Sequence, residues 1–160
     1  MYANRERRGH SLWCSILKMK EEIVLDGQLC AIILRAAYDE PGIQFFTPRE
    51  FSQQLASMSY PAGRIIPVHT HNPVRRDVFL TQETLFIRKG KLRVDFYSQQ
   101  QEYRKSRILG PGDVVLLIAG GHGFETLEDL NMVEVKQGPY AGEADKARFT
   151  SELPAKLNYE

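Results

Sequence analysis

Three of the four histidines fall in two glycine-framed stretches, Gly63-Arg-Ile-Ile-Pro-Val-His69-Thr-His71 and Gly120-Gly121-His122. Imidazoles ligate first-row transition metals and take or give protons near neutral pH. Spacing gives the first two a shared task. Side chains two apart on a strand point to one face, so His69 and His71 can offer nitrogens to a single point in space. On a helix that spacing would splay them by about 200°. Two imidazoles on one face, a distant third histidine and a nearby carboxylate make the donor set of a mononuclear metal site.

Such a donor set needs strands to hold it, and the chain reads as strands. Ile23–Leu25 and Leu29–Leu34 flank Asp26-Gly27, a strong two-residue turn signal, which predicts a hairpin. Glu40-Pro41-Gly42 turns into a short strand at Ile43–Phe46. Thr47-Pro48-Arg49-Glu50 fits a helical capping box, but Phe51–Met58 alternates, and a strand after a brief turn is the favoured reading. From Pro61 onward strands and turns alternate. Thr84–Ile87 and Leu92–Tyr97 bracket Arg88-Lys89-Gly90-Lys91 as a second hairpin, and Gln99–Arg107 reads as a polar loop with an edge strand. Gly110-Pro111-Gly112-Asp113 turns into Val114–Ile118, and Met132–Lys136 is the final strand. Short strands separated by Gly/Pro turns predict an all-β sandwich or barrel.

At 160 residues the chain has the length of one domain, with a core barrel over about 20–140 and terminal arms at 1–12 and 143–160. The second arm is charged and reads as a short helix or a loose tail. Lys and Arg number 21 against 20 Asp and Glu, so no global field gathers nucleic acid or an anionic membrane, and a small molecule is the expected partner. The basic start Asn4–Arg8 reads as a solvated terminus. No apolar run approaches the ~18 residues of a membrane span, and no secretory pattern is seen, so a cytoplasmic location is expected. Cys14 and Cys30 form no metal or redox spacing and read as buried free thiols.

The motifs Gly63-x5-His69-x-His71, Glu83-x6-Gly90 and Gly112-Asp113-x6-Gly120-x-His122 resemble the paired motifs of the cupin superfamily. The resemblance covers about residues 61–126. It implies a double-stranded β-helix, or jelly-roll barrel, with extra N-terminal strands and a short C-terminal tail. It also implies a divalent transition metal (Fe, Mn, Ni, Co or Zn) held by His69, His71, Glu83 and His122. Eleven residues, Asn72–Gln82, separate His71 from Glu83, more than the family pattern has, and Asp77 and Gln82 compete for the carboxylate's place. Ile118 stands where the second motif usually has proline.

Small single-domain cupins with a His-Gly-Phe-Glu motif and a Gln-Gly-Pro-Tyr tail resemble proteins of polysaccharide biosynthesis. The implied activity is metal-assisted isomerisation or epimerisation of a carbohydrate or sugar nucleotide, with Glu83 moving a proton. A mononuclear iron dioxygenase and a non-catalytic metal-bound sensor stand as alternatives. Cupins often pair as homodimers through a sheet edge or swapped N-terminal strands. Arg64, Arg75, Arg76 and Arg93 are anion-binding candidates, with Arg93 open to a barrel-facing reading. Tyr60 and Gln54 are candidate pocket residues, whereas Phe86, Phe96, Tyr97 and Phe124 read first as core packing.

Overall fold

The structure is a computed structural model and describes residues 19–160. Asn4–Arg8 and Cys14 lie outside the described residues. The regular elements are β1 (Lys20–Leu25), β2 (Gln28–Leu34), β3 (Gly42–Phe45), β4 (Ala56–Ser59), β5 (Glu83–Lys89), β6 (Leu92–Tyr97), β7 (Tyr103–Leu109), β8 (Val114–Leu117), β9 (Gly121–Thr126) and β10 (Asn131–Lys136). One 3-10 turn, Gly142–Asp145, follows. The fold is all-β. The described residues divide into two compact units, one of residues 19–38 and 81–160, the other of Asp39–Leu80.

The first unit holds two antiparallel sheets, ordered β1-β2-β8-β5-β10 and β7-β6-β9. Their facing sides share one apolar cluster: Ile23, Ile33, Leu85, Ile87, Val115 and Leu117 from the larger sheet, Leu92, Val94, Phe96 and Leu109 from the smaller. The β1–β2 hairpin forms as predicted. Asp26 and Gly27 both take positive φ, 50° and 79°, the twist that a two-residue hairpin turn requires. The strands Leu92–Tyr97, Val114–Leu117 and Met132–Lys136 also appear where expected, and Tyr103–Leu109 is an edge strand.

The predicted hairpin across Arg88–Lys91 does not form. β5 pairs with β8 and β10, and β6 pairs with β7 and β9, so the chain changes sheets at this turn. Gly90 (φ 82°) makes the change possible, because a Cβ there would lie 2.2 Å from the Asp129 carbonyl oxygen. The Gly110–Asp113 turn is a second crossing, from β7 to β8. The Asp113 carboxylate accepts from the Ala36 and Gly110 amides and from the Arg35 guanidinium.

Alternation along β6 sends Leu92, Val94 and Phe96 to the core and Arg93 and Asp95 to the opposite side. Arg93 is therefore not barrel-facing. Its guanidinium makes paired hydrogen bonds to Asp95 at 2.9 and 3.0 Å, and Ser106 Oγ donates to the same carboxylate. The C-terminal segment reaches this face and is not a loose tail. Ser106 N donates to the Asn158 carbonyl at 2.7 Å, Asn158 N donates to Tyr103 Oη at 2.9 Å, and Phe149 sets its ring edgewise on Tyr97.

In the second unit β3 and β4 pair antiparallel, Gly42 opposite Ser59 and Phe45 opposite Ala56. The predicted strand over Phe51–Met58 shrinks to Ala56–Ser59. Gln54 explains the loss: its Nε2 donates to the Pro48 and Phe51 carbonyls, both at 2.9 Å, and fixes a loop instead. Residues 60–80 enter no ladder and are exposed. His69-Thr70-His71 is thus not on a strand, contrary to the spacing argument. Pro61, Pro67 and Pro73 each remove a backbone donor that a ladder would need.

Candidate functional site

The registers of the first unit bring Glu83 and His122 together. Glu83 stands opposite Leu117, a core residue, so it shares that inner face. His122 stands opposite Phe96, also a core residue, and faces inward from the smaller sheet. A carboxylate from one sheet and an imidazole from the other meet with His122 Nε2 3.3 Å from Glu83 Oε2. Gly121 and His122 open strand β9. Phe124, two residues on, lies beside the imidazole with ring centroids 5.2 Å apart.

Glu83 is 7 % exposed and has further charged neighbours. Lys136 Nζ lies 3.9 Å and Lys146 Nζ 4.0 Å from its Oε1. Lys136 Nζ also stands 3.8 Å from Glu134 and 3.9 Å from Asp145, and over the Tyr140 ring at 5.5 Å. Thr81 Oγ1 fixes Asp145 by donating to Oδ1 at 3.2 Å. The hydrogen bond from His122 holds the Glu83 carboxyl below its ordinary 4.5; burial opposes this, and the charges of His122, Lys146 and Lys136 assist it. Glu83 is ionised at neutral pH.

Sequence reasoning missed Glu134, Lys136, Asp145 and Lys146. A signal existed for two of them, since Met132, Glu134 and Lys136 alternate on one face of β10. Met132 packs on the core, so the charged pair beyond it turns inward at the strand's end. Asp145 and Lys146 arrive from beyond the last strand and left no periodic trace.

His69 and His71 belong to the second unit. Their rings are 5.3 Å apart at 81° without any strand to align them. His69 Nδ1 lies 3.0 Å from the Pro67 carbonyl. A carbonyl only accepts, so Nδ1 is the donor in this bond. Among the described residues no group of three or more His, Cys, Asp or Glu side chains is gathered to hold a metal ion.

The remaining candidates have other tasks. Asp77 is exposed and pairs with Arg75 at 3.6 Å; Arg76 reaches the Val74 carbonyl. Gln82 is buried, its amide N–H donating to Gln137 Oε1 at 2.5 Å, and its own Oε1 has no hydrogen-bond partner. Arg64 stacks over the Tyr60 ring at 5.6 Å. Phe96 and Tyr97 are buried, whereas Phe86 and Phe124 stay partly exposed. Cys30 is a buried free thiol whose pKa burial pushes up, so it makes a poor nucleophile. A recess of about 340 Å³ lined by Leu25, Asp26, Gln28, Cys30 and Gln99 holds none of the predicted ligands.

No protein-family model, no curated protein and no solved structure matches the chain. Among the described residues no helix is long and apolar enough to cross a membrane.

Proposed function

We propose that the chain is a metal-binding protein of cupin type, its two sheets a jelly roll. In this reading it converts a small carbohydrate or sugar nucleotide by isomerisation or epimerisation. The observation that carries the reading is the Glu83–His122 pair, supplied by two different sheets and turned to their common inner face.

The donor chemistry fits a divalent transition metal. Glu83 is ionised, and His122 Nε2 stands 3.3 Å from it. Glu83 and His122 would hold the ion, each from its own sheet. When bound, the ion supplies Lewis acidity that polarises a carbonyl or hydroxyl of the ligand. The chain's own groups do the rest. Glu83 accepts a proton at a carboxylate oxygen. The register partners, Leu117 beside Glu83 and Phe96 beside His122, are buried apolar residues.

The reading includes pairing as a homodimer along a sheet edge. Val133 and Val135 on edge strand β10, with Phe86 opposite Val133, leave an exposed apolar row on the outer face of the larger sheet.

Solvent deuterium exchange tests the activity. Full-length protein incubated with aldoses, ketoses and their nucleotide derivatives should place deuterium on the carbon beside the carbonyl, and Glu83→Gln should slow this by at least about 100-fold. Oxygen uptake without exchange would instead assign an oxygenase.

A further inference from the structure

Two turns, one from each sheet of the first unit, frame the recess of about 340 Å³. The β1–β2 hairpin supplies Asp26 and Gln28, and the β6–β7 turn supplies Gln99 and Gln100. The volume lies at the low end of the range for small-molecule sites, about 300–1,000 Å³, which suits a single ring. Buried Leu25 and Cys30 make the floor. Burial pushes the Cys30 thiol up, so this floor carries no charge at neutral pH. None of these residues belongs to the Glu83–His122 pair. The recess stands apart from the reaction proposed above and calls for no metal.

The chemistry of the rim selects the ligand. Gln99 Nε2 donates to Gln28 Oε1 at 2.5 Å, which uses one hydrogen and one lone pair. Gln28 Nε2 still offers donors and Gln99 Oε1 still offers an acceptor, and Gln100 brings both kinds. Asp26 accepts from Arg104 at 3.4 Å to each carboxylate oxygen, a long pair between exposed side chains that leaves acceptor capacity. Among the described residues no cation lines the recess, so a phosphate or carboxylate would face the Asp26 charge. An ammonium ligand would suit Asp26 but leave the carboxamide N–H groups without an acceptor. Hydroxyl groups donate and accept at once, and so match carboxamides and a carboxylate together. We infer that the recess binds a neutral cyclic polyol, a sugar or cyclitol ring. Its hydroxyls meet Asp26, Gln28, Gln99 and Gln100, and its C–H face lies on Leu25 and Cys30.

Side-chain carboxamide signals in proton–nitrogen NMR spectra of the chelator-treated, full-length chain test this. D-glucose, D-galactose and myo-inositol serve as neutral probes, and glucose 6-phosphate and choline as charged ones. At least one neutral probe should shift the Gln28 and Gln99 carboxamide signals with a Kd of about 10 mM or tighter. It should bind at least about five-fold more tightly than either charged probe. Gln99→Ala and Gln100→Ala should each weaken that binding at least about three-fold, the loss of one hydrogen bond. Both variants should keep the turn, which backbone bonds from Ser98 N to the Glu102 carbonyl and from Gln101 N to the Ser98 carbonyl hold. Glu83→Gln should bind the probe as wild type does, so failure of the proposed reaction and failure of this site are separate results. The polyol site is wrong if no neutral probe moves the carboxamide signals, or if a charged probe binds more tightly. It is equally wrong if both glutamine variants bind as wild type does, or if Glu83→Gln weakens binding as much as they do.

Discussion

His69 and His71 show how far residue spacing reaches. Their separation by one residue implied a shared face on a strand, and the rings are indeed close, 5.3 Å between centroids, but on an exposed segment with no ladder. Proximity came from local chain direction and not from a pleat. Glu83 was legible from its distance to Gly90 and occupies an inner-face position, paired with His122. Its lowered pKa gives a stability prediction. A carboxylate whose folded pKa lies below its unfolded value stabilises the fold above the ordinary 4.5, and that contribution is lost as pH falls through the folded value. Urea unfolding of chelator-treated protein should therefore show wild type losing more stability than Glu83→Gln between neutral pH and about pH 3. Equal losses would mean that His122 does not hold the carboxylate charged.

Elements whose turns carry their own signature were legible, and those decided by distant partners were not. Asp26-Gly27 specifies a hairpin locally, and the hairpin is there. Gly90 carries an equally local signal for a tight turn, but whether β6 returns beside β5 or crosses to the other sheet depends on strands up to forty residues on. Gly90→Ala should destabilise the chain by at least about 2 kcal/mol in urea titration, since left-handed strain adds to a 2.2 Å clash with the Asp129 carbonyl. The Arg93–Asp95 pair was hidden for a related reason. Alternation in β6 was plain, but only the C-terminal segment, docked through Asn158, makes its outer face a buried one. Asp95→Ala removes the bidentate partner of the buried Arg93 guanidinium, which keeps Glu125, and should cost about 1–3 kcal/mol, read from the same titration. Strand β9 escaped notice because Gly121 and Gly123 look like turn residues, whereas close packing of Phe149 on Gly121 is what asks for a glycine there.

At the scale of the molecule, the all-β class and most strand positions were readable from alternation and turns, while the division at Asp39–Leu80 was not. A run of prolines through residues 61–73 is the trace it left in the sequence. The exposed row Phe86, Val133 and Val135 predicts a dimer that Val135→Lys converts to monomer in analytical ultracentrifugation; an unchanged sedimentation coefficient would place the interface elsewhere. The central proposal is that the Glu83–His122 pair holds one metal ion. Elemental analysis of purified protein, wild type beside Glu83→Gln/His122→Ala, tests it most directly. About one equivalent of a transition metal in wild type, falling below about a tenth in the double variant, is the predicted result. Metal below that level in wild type whatever ion is supplied, or full retention by the double variant, would contradict it.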